Sequence, residues 1–214
     1  MHTQTLNRQA YLDSVIQMDH FATLKFAKEA LDWWDTYYSW SRDPCLVLYN
    51  EQKEVVCYLF YHISKKREYL TIHNIFTPFP HRYHGYAKEM LHILFDTLES
   101  NTIERVKLYA VSSSISFYMK LGLDFWGVNE IGQYYSDFPM PKNIADIAHQ
   151  MHHPHLETLS SKRLQEIYLK LQKNGGDFKE SELAIFNQSK DIMQERYRFG
   201  EFVSIFERFG TKVA

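Results

Sequence analysis

The 214-residue sequence predicts a mixed α/β (α+β) domain built on a mostly antiparallel central sheet flanked by helices, with a helical extension behind it. Three observations carry this. Helical apolar spacing near the N-terminus gives way to three β-rich stretches joined by polar connectors. Strand and helix then alternate to about Tyr135. Beyond Phe138 only helical stripes recur. The composition, 45% hydrophobic and 23% charged with 8 Gly and 6 Pro, excludes a collagenous or low-complexity chain.

The elements follow in order. Tyr11 to Trp40 reads as one or two helices, because Leu24, Ala27, Leu31, Trp34 and Tyr38 recur at three- and four-residue spacing. Cys45 to Tyr49 and Val55 to Ser64 are strand-like around the polar connector Asn50 to Glu54, and Lys65-Lys66-Arg67 leads to a third strand, Tyr69 to Thr77. This is a three-stranded meander. A helix from about Gly85 to Glu99 carries Ala87, Met90, Leu91, Leu94 and Leu98 on one stripe. Arg105 to Val111 is a short strand, and Ser112-Ser113-Ser114 offers N-caps for a brief helix that Gly122 stops. Strand character resumes from Phe125 to Tyr135.

Asp137-Phe138-Pro139-Met140-Pro141 suggests a boundary, dividing the chain into a domain over 1–138 and an extension over 139–214. Two stripes mark the extension: Leu164, Ile167, Tyr168 and Leu171, then Phe202, Ile205, Phe206 and Phe209. Short helices so apolar need cover, so the extension is expected to dock on the domain or to join two subunits as a homodimer.

Charge and cysteine usage exclude several classes. With 24 Lys plus Arg against 26 Asp plus Glu the net charge is −2, which argues against generic nucleic-acid binding. No apolar run approaches the ~18 residues of a membrane span, and Met1 to Arg8 lacks a signal-peptide pattern, so a soluble cytoplasmic protein is expected. Cys45 and Cys57 are too few for a secreted framework, although a hairpin centred near Glu51 would set them opposite each other. His149, His152, His153 and His155 have no carboxylate or cysteine among them and Pro154 ends their helix, so no metal is expected.

The most informative stretch is Arg82-Tyr83-His84-Gly85-Tyr86-Ala87, between a strand and a helix. Unpaired N–H groups and the positive dipole end at a helix start bind phosphate without a charged side chain. Gly85 permits close backbone approach there. About thirty residues on stands Phe117-Tyr118-Met119-Lys120-Leu121-Gly122-Leu123, and upstream Asn74-Ile75-Phe76-Thr77 closes the third strand.

Together these segments resemble the GNAT superfamily of N-acetyltransferases. The first is similar to its Gln/Arg-x-x-Gly-x-Gly/Ala signature, the second to its Phe/Leu-Tyr-x-Lys-Leu-Gly-Phe segment, and the third to its Asn-Ile-Ala-Val strand end. The resemblance spans about Arg42 to Tyr135; the family's first strand is not matched before Tyr11.

The resemblance implies acetyl-CoA as cosubstrate, with pyrophosphate on the N–H groups of Arg82, Tyr83, His84, Gly85, Tyr86 and Ala87. It implies a pantetheine arm along Ile75, Phe76 and Thr77, and an acceptor that is a small-molecule or peptide amine attacking directly. Tyr118 matches the tyrosine that protonates the departing thiolate, which a phenol of pKa about 10 can do. Glu68 and His73, on the third strand, are the candidates for general base. His73 has the more suitable pKa of about 6.5, but it shares the parity of Ile75, which points to the core. The rings of Trp33, Trp34, Tyr37, Tyr38 and Trp40 are expected chiefly in the core, with a cationic amine as their functional alternative. The rival reading of the whole is a CoA-binding or protein-interaction module on the same fold without catalysis. Transfer to a protein N-terminus or to aminoacyl-tRNA is a third, the latter opposed by the acidic balance.

Overall fold

The structure, a computed structural model, describes residues 1–64, 69–98, 103, 105–123, 125, 127, 128 and 133–148. Lys65 to Glu68, the histidines from His149 to His155 and both apolar stripes of the extension lie outside the described residues. The chain forms two compact units, Met1–Val106 with Lys142–Ile144, and Lys107–Pro141 with the residues from Ala145 on.

In the first unit four strands lie side by side: β1 (His2–Leu6), β2 (Cys45–Tyr49), β3 (Val55–Ile63) and β4 (Tyr69–Phe76). Each pair is antiparallel. The meander β2 to β4 is as expected, but β1 is an added strand, paired from His2 opposite Tyr49 to Leu6 opposite Cys45. Its residues are mostly polar because only Leu6 is buried, so it presents no apolar alternation from which sequence could name it.

Helices α1 (Arg8–Val15) and α2 (Phe21–Tyr37) cover one face of this sheet. Asn7 caps α1 by accepting from the Ala10 N–H at 2.9 Å. Tyr11 and Trp34 are fully buried among Cys45, Val47, Tyr58, Phe60 and Phe76. The Tyr11 hydroxyl donates to the Ala27 carbonyl at 2.8 Å, which joins the two helices and satisfies a buried donor. Arg8 adds a bond of 2.7 Å from Nη2 to the Asp35 carboxylate, which also accepts from the Trp40 indole. Helix α3 (Tyr86–Leu98) packs against β2 and β3, burying Met90, Leu91, Leu94, Phe95 and Leu98.

The register separates the cysteines. Leu48, not Cys45, stands opposite Cys57, and Cys45 belongs to the α1 and α2 side with Val47 and Tyr58. Both thiols are free and buried, so the hairpin does not set them across from each other.

Strand β5 (Arg105–Ala110) begins at the end of the first unit and continues into the second, where the order is β5, β7 (Tyr134–Pro139), β6 (Gly127–Val128). β6 and β7 are antiparallel, with Gly127 opposite Tyr135. Strand β7 runs into the proline-bearing stretch that suggested a boundary. Ser112–Ser114 form a 3₁₀ turn before α4 (Ile115–Lys120); the Ser114 hydroxyl donates back to the Val111 carbonyl at 2.9 Å instead of capping the helix. Gly122 ends α4 as expected, at φ +90°, and the Leu123 N–H reaches the Tyr118 carbonyl at 3.1 Å to close the motif. The mixed α/β class of the sequence reading is the class observed.

Two tests follow from this packing. A Cβ on Gly122 would stand 2.5 Å from the Ala148 Cβ and 2.8 Å from its Cα, in addition to the positive φ. Gly122→Ala should therefore cost about 1–3 kcal/mol, measured as a shift in the urea midpoint. The second test is alkaline pH. Burial pushes the Cys57 thiol and the Tyr58 phenol each up to about 12, and lifts Cys45 as well. Their unfolded values are about 8.5 and 10, so the folded state binds more protons once pH exceeds them. Unfolding free energy should stay level from about pH 7 to 8 and decline as pH rises from about 9 towards 12.

Candidate functional site

Strand β4 leads into the turn on which the sequence places its phosphate site. Pro78 starts a 3₁₀ turn over Phe79–His81, and the Arg82 N–H closes it on the Phe79 carbonyl at 3.3 Å. Tyr83 then has φ +66° and Gly85 φ +83°, while His84 between them stays at negative φ. Such alternation points successive N–H groups into one concavity, an arrangement suited to anions. Glu89 makes the first backbone bond of α3, to Gly85, so the N–H groups of Tyr86, Ala87 and Lys88 are left over by helix geometry. A Cβ built on Gly85 meets nothing within 4 Å, so glycine is required by φ and not by crowding.

Arg82 is held within the unit. Its Nε donates to the Thr77 carbonyl at 3.3 Å and its Nη2 to Thr23 Oγ1 at 3.2 Å, with the guanidinium 5.5 Å above the Phe79 ring. Thr23 sits in the first turn of α2, whose N-cap His20 stacks on Phe79 at 4.0 Å. The guanidinium thus ties the end of β4 and the turn to the start of α2. Phe76 spends its side chain on the core, stacked on Tyr58 at 4.8 Å; Ile75 and Thr77 are partly buried.

His73 does not follow the parity of Ile75. Asn74 pairs with Phe60 and Ile72 with Tyr61, so His73 is the extra residue of a β-bulge. Ile75 stands opposite Leu59, whereas His73 is turned to α2: its ring lies 4.7 Å from Trp33, 5.6 Å from Trp34 and 4.9 Å from Tyr38, and Nε2 shares a 2.8 Å hydrogen bond with the Tyr38 hydroxyl. His73, Ile75, Phe76, Thr77 and the turn from Arg82 to Ala87 thus share the first unit. Tyr118 belongs to the second, on α4, 5% exposed with its ring edge-on to Phe117. Glu68, the other candidate base, lies outside the described residues.

The acetyltransferase (GNAT) family model matches residues 14–123. The chain belongs to the GNAT acetyltransferase family. A comparison with curated proteins finds no match. Among solved structures, a Klebsiella pneumoniae protein assigned as an acyl-CoA N-acyltransferase superposes with a TM-score of 0.50 at 14% identity, covering 65% of this chain and 97% of that one. A spermidine N-acetyltransferase chimera from Vibrio cholerae gives 0.48 at 12%, covering 66% and 96%. An N-acetyltransferase from Thermoplasma acidophilum, crystallised with coenzyme A, gives 0.46 at 9%, covering 64% and 96%. Acyl transfer is the chemistry of the family; among the described residues no helix is long and apolar enough to cross a membrane, and no cluster of metal-binding side chains occurs.

The GNAT signature does not reach the polar cluster around Tyr38. Asp43, 8% exposed, accepts from His62 Nδ1 at 2.9 Å and from Arg42 Nε at 2.8 Å, while its carbonyl accepts from the Trp34 indole at 2.8 Å. The His62 ring lies 5.1 Å from the Tyr38 ring. The sequence names Tyr38 as one aromatic of a core stripe, with a cationic amine as the functional alternative, and does not single out Asp43 or His62. The missing signal was the bulge, which alone brings positions 35 residues apart into one hydrogen bond.

Proposed function

We propose that the chain transfers an acetyl group from acetyl-CoA to a primary amine by direct attack, without a covalent enzyme intermediate. The observation that carries the reading is the turn after β4, where φ alternates in sign ahead of a helix whose first N–H groups are unpaired. That concavity fits a pyrophosphate, and the residues that would hold it are Arg82 to Ala87 through their backbone. Arg82 contributes by fixing the turn, since its guanidinium is already bonded to Thr77 and Thr23. Ile75, Phe76 and Thr77 would carry the amide-bearing arm on their backbone. Acetyl-CoA supplies an activated thioester carbonyl carbon.

His73 is assigned as general base, receiving the proton that the acceptor ammonium must lose before its nitrogen can attack. Support comes from the bulge, which turns His73 out of the register of Ile75 towards the α2 aromatics. Tyr118 is assigned as the acid that returns a proton to the leaving thiolate; it enters through the motif around Gly122 alone.

The experiment is CoA release from acetyl-CoA over a panel of aliphatic polyamines, amino sugars and peptide N-termini. A positive φ at Gly85 is strained for any β-branched residue by about 1–3 kcal/mol, so Gly85→Val should weaken CoA about 5- to 150-fold by calorimetry in a folded protein. Tyr118→Phe should keep CoA affinity and lower kcat by about 100- to 10,000-fold. CoA binding without release on any amine would favour the non-catalytic module; a Gly85→Val protein with unchanged affinity would remove the turn as the site.

A further inference from the structure

We infer that Tyr38 carries the proton between the acceptor amine and His73, an assignment that rests on the proposed acyl transfer to an amine. The argument begins with which atom is reachable. His73 Nε2 is 2.8 Å from the Tyr38 oxygen, so among the described residues that hydroxyl is the group through which this nitrogen can exchange a proton with a substrate.

Tyr38 is well placed to do so. The α2 helix ends at it: its backbone is extended at φ −131° and ψ 163°, while its N–H still reaches the Trp34 carbonyl at 2.9 Å. This turns the ring back over its own helix, where it stacks on Trp34 at 4.2 Å and 18°. Trp34 is itself fully buried, with its indole N–H on the Asp43 carbonyl. Trp33 flanks the ring at 5.4 Å and His62 at 5.1 Å, so the hydroxyl is aimed at His73 by packing on several sides. Among the described residues, the titratable and charged groups facing it include His73 on β4, His62 on β3, and Asp43 with Arg42 before β2.

The step balances as follows. One N–H bond of the acceptor ammonium breaks and its proton goes to the Tyr38 oxygen. In the same movement the Tyr38 O–H bond breaks and an N–H bond forms at His73 Nε2. The electron pair left on the amine nitrogen attacks the thioester carbonyl carbon, whose C–S bond breaks as the thiolate leaves with a proton from the acid; the new amide nitrogen gives up its second proton to restore that acid, and His73 ends as the imidazolium. A phenol of ordinary pKa about 10 holds neither an extra proton nor a negative charge near neutral pH, so the two transfers are one concerted step. In the resting enzyme His73 Nε2 is then the acceptor and Tyr38 the donor.

Tyr38→Phe in the full chain keeps the ring on Trp34 and removes only the hydroxyl, so the protein should melt as the wild type does. Its kcat should fall about 100-fold or more while the KM for acetyl-CoA stays within about twofold. His73→Gln should lose a similar factor, and the double variant should be no slower than the worse single one, because the two groups act as one unit. Nitrogen-15 NMR of labelled histidine should find His73 Nε2 unprotonated in the resting protein. That measurement needs no substrate, and a protonated Nε2 would overturn the relay. So would a Tyr38→Phe enzyme with wild-type kcat. If His73→Gln is impaired while Tyr38→Phe is not, the relay fails and His73 stands as a base through its other nitrogen. If neither is impaired, the assignment of His73 as base fails with it.

Discussion

Strand β4 carries one residue more than β3 can pair, and the first unit's polar interior is arranged around that surplus. Between the partners Phe60 with Asn74 and Tyr61 with Ile72, His73 has no opposite number. A bulge of this kind bends the strand and re-aims the extra side chain. The end of α2 answers it: Trp33, Trp34 and Tyr38 enclose the imidazole, and Trp34 in turn fixes the loop bearing Asp43 through its indole N–H. A regular strand would put position 73 on the face of Ile75, and Tyr38 would lose its hydrogen-bond partner. The helix end, the loop before β2 and the imidazole on β3 depend on one irregularity in backbone pairing.

A second tie lies at the other end of β4. Arg82 reaches back to the Thr77 carbonyl and across to Thr23, and His20, which caps α2, stacks on Phe79. Helix α2 is therefore held at its start by the turn that precedes α3 and at its end by the bulge of β4. Neither bond is strong, since both guanidinium contacts exceed 3 Å and are part-exposed. Their effect is geometric. A helix pinned at both ends to one strand keeps Tyr38 and the turn from Tyr83 to Gly85 at a fixed separation.

Much of the fold was legible because it is local. The meander, α3 and the glycine end of α4 follow from apolar period, connector chemistry and a residue able to take positive φ. The strand β1 was not, since an edge strand burying only Leu6 carries no alternation, and its existence depends on β2 having an edge to offer. The cysteines stand apart for a related reason. A hairpin centred near Glu51 could set them opposite each other, but the turn is centred further along, with Tyr49 opposite Val55 and Leu48 across from Cys57.

The same contrast separates the two halves of the candidate site. The directions of consecutive N–H groups are set by the dihedrals of neighbouring residues, so a six-residue motif can encode a turn such as that from Arg82 to Ala87, with its positive φ at Tyr83 and Gly85. The polar cluster is made of side chains at positions 38, 43, 62 and 73, whose meeting depends on strand register and helix length. One inserted residue reverses the face on which a strand presents its side chains, so a parity argument at His73 gives the wrong answer even when the strand is correctly recognised. Chains that share the motif can therefore differ in such side-chain clusters through single irregularities that leave it intact. In this chain it is the bulge at His73 that brings Tyr38 and an imidazole together.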